Sequence, residues 1–105
     1  MAWRTGPGEA VADMRIEPAG EGGGATRFLV TVTEGGSSST HEVTVTDRDY
    51  RRLGERFDSY EELVRASMEF LLEREPKESI LGRFDVADIS TYFPEYERTM
   101  AGRGD

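Results

Sequence analysis

The stretch from Ser59 to Leu81, S-Y-E-E-L-V-R-A-S-M-E-F-L-L-E-R-E-P-K-E-S-I-L, constrains this chain more than any other. It is the longest periodic apolar segment, and the remaining elements have to pack onto it. At about 100° per residue, Tyr60, Leu63, Val64, Ser67, Met68, Phe70, Leu71 and Leu72 fill a broad arc. Glu62, Arg65, Glu69 and Glu73 take the other side. Ser59 is placed to cap the amino end, with Glu62 reaching back in a capping box. Glu61 precedes Arg65 in the favourable order for an ion pair, but such a pair contributes only ~0.2–0.5 kcal/mol. Burial of the arc therefore dominates, which makes this a central core helix rather than a partner's groove. Pro76 ends it at Glu75, because the residue before proline avoids the α region, and opens a further turn through K-E-S-I-L closed by Gly82.

The clearest β signal lies upstream. Phe28, Val30 and Val32 alternate with Arg27, Leu29, Thr31 and Thr33, and His41, Val43 and Val45 alternate with Glu42, Thr44 and Thr46. Both runs are rich in β-branched residues and predict a half-buried antiparallel hairpin with the valines of both strands on one face. The E-G-G-S-S-S connection reads as a mobile loop, too long for a two-residue turn. Ala12, Met14 and Ile16 alternate with Asp13, Arg15 and Glu17, a weak pattern for a third, N-terminal strand. Glycines 20, 22, 23 and 24 read as a link within a flexible, Gly-rich segment over residues 1–25, with Trp3 an exposed tail residue and Met14 an alternative start.

Asp47, or Thr46, starts a short helix with Tyr50 and Leu53 on one side and Gly54 past its end. Asp85 is an N-cap, with Phe84 and Ile89 set as a hydrophobic staple. Val86, Ile89, Tyr92 and Phe93 form the stripe of that helix until Pro94 stops it. The expected architecture is one α+β domain over residues 26–98, an antiparallel β-hairpin packed against three or four helices, with residues 99–105 a disordered tail.

Composition narrows the function classes. The 105 residues carry no cysteine, which excludes a disulfide framework and thiolate metal sites and fits a reducing compartment. No apolar run approaches the ~20 residues that span a bilayer. The opening M-A-W-R-T-G-P-G-E-A lacks a signal-peptide core, so a cytoplasmic protein is expected. The net charge of −8 disfavours nucleic acid and anionic membranes as partners.

H-E-V-T-V-T, F-L-L-E-R-E-P-K-E-S-I-L and F-D-V-A-D-I-S-T-Y-F-P-E-Y-E together resemble a group of short uncharacterised bacterial proteins. The resemblance runs from Phe28 to Glu97 and implies a bacterial, cytosolic origin without an activity. A proline near the start of the central helix is expected in that group, where this chain has S-Y-E-E.

No catalytic, cofactor-binding or metal-ligating constellation is recognisable, and an enzyme is not expected. His41 is the one histidine and sits in a strand, and Ser67 has no histidine at helical spacing. Glu69, Glu73, Glu75 and Glu78 read as a solvated face around Pro76. Arg48, Arg51, Arg52 and Arg56 form a weak anion-binding candidate, four arginines against Asp49 and Glu55, hence +2 locally. A strand before two helices would suit a small dimeric nucleic-acid-binding regulator of ribbon-helix-helix type, the alternative function. The strand faces offer Thr and Glu, however, and the arginines have Asp47, Asp49 and Glu55 for partners. Y-F-P-E-Y has the composition of an interface anchor: Phe93 is expected in the core, and Tyr96, partly exposed, faces a protein partner with Glu95 and Glu97. The expected function is a non-catalytic protein working through protein–protein contacts, with no cofactor. Homodimerisation is expected from the unpaired hairpin edge, and Arg103-Gly104-Asp105 is read as a chance match to an adhesion tripeptide.

Overall fold

The computed structural model describes residues 13–53 and 56–103. Trp3, Gly54, Glu55 and the Gly104-Asp105 end of the tripeptide lie outside them. The chain opens with three long strands, β1 (Asp13–Gly22), β2 (Ala25–Glu34) and β3 (Ser37–Thr46), each antiparallel to the next. Both connections are glycine pairs. Gly23 and Gly24 have φ of +64° and +79°, and Gly35 and Gly36 have +64° and +86°. Two positive φ values in a two-residue loop define the tight turn whose twist matches the flanking strands, and glycine is the residue that enters it without strain. The pairs Gly22↔Ala25 and Glu34↔Ser37 close the two turns.

These turns correct two expectations. E-G-G-S-S-S is no mobile loop, because Ser37, Ser38 and Ser39 pair with Glu34, Thr33 and Val32. The glycines before Ala25 are no flexible link, because residues 13–22 form the third strand and Gly23-Gly24 its turn.

Thr46 Oγ1 accepts the Asp49 N–H at 3.0 Å and so caps α1 (Asp47–Leu53). The central helix, α2 (Tyr60–Leu72), starts where Ser59 Oγ accepts the Glu62 N–H at 3.2 Å. It ends three residues before Glu75. The N–H groups of Arg74 and Glu75 both turn back on the Leu71 carbonyl, at 2.9 and 2.8 Å, and Pro76 is already extended. A single 3-10 turn, Lys77–Ser79, leads to β4 (Arg83–Asp85), which joins β3 in parallel through Glu42↔Arg83 and Val43↔Phe84. At the start of α3 (Val86–Tyr92), the Asp85 N–H donates to Asp88 Oδ2 at 3.0 Å, and the staple residues Phe84 and Ile89 are both buried. The fold is therefore α+β, a four-stranded sheet in the order β1-β2-β3-β4 with its helices on one face. Among the described residues no helix is long and apolar enough to cross a membrane.

The core lies between α2 and the inner sheet face. Val30, Val32, Val43 and Val45 from the sheet meet Leu63, Val64, Met68 and Phe70 from α2, all fully buried. The segment expected to be a tail contributes to it. Residues Tyr96–Arg103 form α4, whose Tyr96 and Met100, one helical turn apart, are both fully buried.

Leu63→Ala is expected to destabilise the fold by ~2–5 kcal/mol in urea unfolding, the cost of a cavity at a buried leucine. Leu81→Ala, at a half-exposed position, should change stability by less than ~0.5 kcal/mol. Equal effects would mean that the apolar face of α2 is not the centre of the core.

Candidate functional site

Beside α3 the surface opens into a groove of about 350 Å³. Buried Leu71, Ile80, Phe84 and Ile89 line it together with half-buried Phe93. Leu81 and Tyr92 also line it, and they are the two most exposed large hydrophobic side chains among the described residues, at 50% and 64%. Glu75, Ser79 and Asp88 supply its polar lining, and no basic residue is among the lining side chains.

Local sequence accounts for both walls. On α3, Asp88 and Tyr92 stand four residues apart and so share one helix face, with Ile89 beside them turning inward. The facing wall is the irregular segment from Glu75 to Leu81, and buried polar groups pin it to β3. Lys77 is only 4% exposed, and its Nζ donates to Ser37 Oγ at 2.7 Å and to the Glu78 carboxylate. His41 Nδ1 lies 2.8 Å from the Leu81 carbonyl. A carbonyl only accepts, so Nδ1 donates there, and Nε2 shares a 2.7 Å hydrogen bond with the Ser39 hydroxyl. The Glu42 N–H donates to the Gly82 carbonyl at 2.8 Å. With its backbone held inward, Leu81 is left to present its side chain outward.

The electrostatics beside α3 are acidic. Burial, and after it the charges of Asp88 and Asp49, push the Asp85 carboxyl above its ordinary value. A carboxylate crowded by two others gains from an incoming cation. Among the described residues no group of histidine and acidic side chains is set to hold a metal ion.

The residues expected to meet a partner are placed differently. Tyr96 is fully buried, a correction to its expected exposure. Its hydroxyl shares a 2.6 Å hydrogen bond with Ser67 Oγ, and its ring meets Phe70 edge-on at 5.2 Å between centroids. Pro94 interrupts the helix, but the chain restarts at once and turns Tyr96 back onto α2. Glu95 and Glu97 are engaged from outside: Arg74 Nε donates to Glu95 at 3.1 Å, and Arg52 Nη1 to Glu97 at 2.5 Å. Phe93 packs edge-on against Phe70 at 5.8 Å, as a core residue should, while also lining the groove. Tyr92, read as part of the core stripe, is the exposed aromatic instead.

The four arginines do not converge. Arg52 bridges Asp49, at 3.2 Å, and Glu97, which also accepts from Ser90 Oγ at 3.2 Å, so it ties α1 to α3 and α4. Arg48, Arg51 and Arg56 are exposed on or just beyond α1. β3, the strand before two helices on which the ribbon-helix-helix alternative rests, is paired on both sides within the chain.

The sequence reasoning missed Leu81 and Tyr92. For Tyr92 a signal existed, its spacing of four from Asp88, which contradicts a place in the core. For Leu81 no local pattern separates it from buried Ile80, since the long-range tethers to β3 set the segment.

Tyr96→Phe should cost ~1–3 kcal/mol, because it leaves the Ser67 hydroxyl buried and unpartnered. Adding Ser67→Ala should recover part of that cost, and Tyr96→Ala should cost ~3–5 kcal/mol. Urea unfolding of the four proteins checks this; a harmless Tyr96→Ala would contradict the burial. Burial also pushes the Tyr96 phenol up to about 12. The folded state thus holds its proton over a range in which the unfolded chain, ionising near ~10, has released it. That stability is present below about pH 10 and is lost as pH rises toward 12, a fall that Tyr96→Phe should lack. No family model, no curated protein and no solved structure matches this chain.

Proposed function

We propose that this chain is a non-catalytic cytosolic module that works through protein–protein contacts, and that its contact surface is the groove beside α3. The observation that carries the proposal is the placement of exposed Leu81 and Tyr92 around an apolar floor, with Glu75 and Asp88 in the lining and no basic residue there. Large aromatic and aliphatic side chains around an apolar recess, with charges at its border, are the makeup of an interface hot spot. The fitting partner is a short amphipathic segment, apolar on one face and lysine- or arginine-bearing at its margins. Its apolar residues would fill the recess, and its cations would meet Asp88 and Glu75.

Two further features support a binding role. Four groups with reactive chemistry, His41, Ser67, Lys77 and Tyr96, are committed to hydrogen bonds inside the fold. The acidic net charge and the engagement of Arg52 by Asp49 and Glu97 weigh against the nucleic-acid alternative.

Titration of isotope-labelled protein with an amphipathic Leu/Lys helical peptide should shift amide resonances of Leu81, Asp88, Tyr92 and Phe93. A scrambled peptide of the same composition and a Leu/Glu counterpart should not. Leu81→Ala with Tyr92→Ser should weaken binding about tenfold or more, ~1.4 kcal/mol, without lowering the melting temperature. Shifts spread over the whole acidic surface, or no difference between ordered and scrambled peptides, would remove the groove as the site. Shifts at Arg48, Arg51 and Arg56 on adding duplex DNA would favour the alternative.

A further inference from the structure

We infer that two copies of this chain associate through the outer edge of β1, pairing antiparallel about a two-fold axis at Ile16, so that the sheets of the two copies become continuous. β1 is the first strand in the sheet order, and among the described residues only β2 pairs with it. It is ten residues long, and an edge of that length carries a row of backbone donors and acceptors that another strand can meet.

Among the described residues, the proline and the bulge that guard this edge are confined to one half. The register breaks between Pro18 and Gly20, and a proline and a bulge are the devices that block edge pairing. From Asp13 to Glu17 the strand is regular and has neither. In that regular half Met14 and Ile16 stand opposite Val32 and Val30 on the core face. Val30 and Val32 are fully buried, whereas Met14 and Ile16 are only half-buried. The apolar face of the sheet thus continues onto β1, where Met14 and Ile16 pack against the core but stay half-buried, and the same residues of a second copy alongside would bury them further.

Charge selects the register. On the opposite face Asp13, Arg15 and Glu17 are exposed and alternate in sign. A two-fold axis at Ile16 sets Arg15 of each copy against Glu17 of the other and Ile16 against Ile16, and the pairing stops where Met14 meets Pro18, which has no N–H to give. An axis at Arg15 would instead oppose Arg15 with Arg15 and Asp13 with Glu17. Opposite charges directly across a strand pair stabilise it and like charges destabilise it, so the Ile16 axis is preferred. The interface is independent of the groove: Phe84, which lines the groove, is in β4, at the far edge of the sheet from β1.

Sedimentation equilibrium of the full chain should give a dimer mass at about 100 µM, the regime of a small, transient interface. Glu17→Arg sets two guanidinium groups directly across the strand pair and should return a monomer with an unchanged melting curve. Arg15→Glu combined with Glu17→Arg restores the opposition and should restore the dimer. Because the chain has no cysteine, single-cysteine variants report the register directly. A mixture of Arg15→Cys and Glu17→Cys should form a mixed disulfide on mild oxidation, and Arg15→Cys alone should not. A wild-type monomer at that concentration overturns the proposal. So does a dimer that survives Glu17→Arg, or one that cross-links through Arg15→Cys alone.

Discussion

Everything in this fold depends on the burial of one face of α2 against the inner face of β2 and β3. Neither partner is stable alone. A thirteen-residue helix is marginal in water, and a hairpin without a covered face is little better. The ion pair of Glu61 with Arg65 along α2, at 3.8 Å, is exposed and contributes a few tenths of a kcal/mol at most. Each fully buried aliphatic or aromatic side chain contributes ~1.5–3 kcal/mol, and the two faces bring eight of them together. The caps at Thr46, Ser59 and Asp85 decide where helices start, but the mutual burial decides that they persist.

What was legible in the sequence follows from this. The alternation in β2 and β3, the arc of α2, and the caps at Ser59 and Asp85 are local patterns whose period reports a buried face directly. The errors fall where a partner, not the local segment, sets the structure. Three successive serines have little preference for a strand, and they enter β3 because Val32, Thr33 and Glu34 lie opposite. The weak alternation at Met14 and Ile16 becomes a strand because β2 offers an edge and Gly23-Gly24 permits the turn. The burial of Tyr96 escapes the sequence pattern because periodicity does not carry across Pro94. It is set by Ser67 and Phe70, more than two dozen residues earlier in the chain. The spacing of Met100 from Tyr96, one turn of helix, is a usable signal masked by the polar residues between them.

The candidate groove was the least legible part, because its geometry comes from tethers no motif announces. A lysine after a proline and a histidine in a strand both read as ordinary surface or core residues. Here each reaches across the fold to hold the segment from Lys77 to Gly82 against β3. Apolar residues at these positions would let that segment slide and collapse onto the core, since hydrophobic contact is not directional. Hydrogen bonds from buried polar groups fix its backbone in one arrangement, because leaving such groups unpaired is costly. The outward display of Leu81 thus goes with the tethers that hold its backbone to β3.

The same sheet keeps the two proposed contacts apart. β2 and β3 are paired on both sides, and their inner residues are closed under α2, so the middle of the sheet is committed to stability. What remains open to a further strand lies at its two edges. At the first edge, β1 presents a regular half-strand with alternating charge and an apolar pair that is only half-buried. At the other, β4 is only three residues long, too short to invite a further strand, and it passes directly into α3 and the groove. A pair of chains joined at β1 would therefore carry its two grooves at opposite ends of one continuous sheet. Two weak apolar recesses held at a fixed separation bind a repeated or doubled partner far more tightly than either does alone, with no new contact needed.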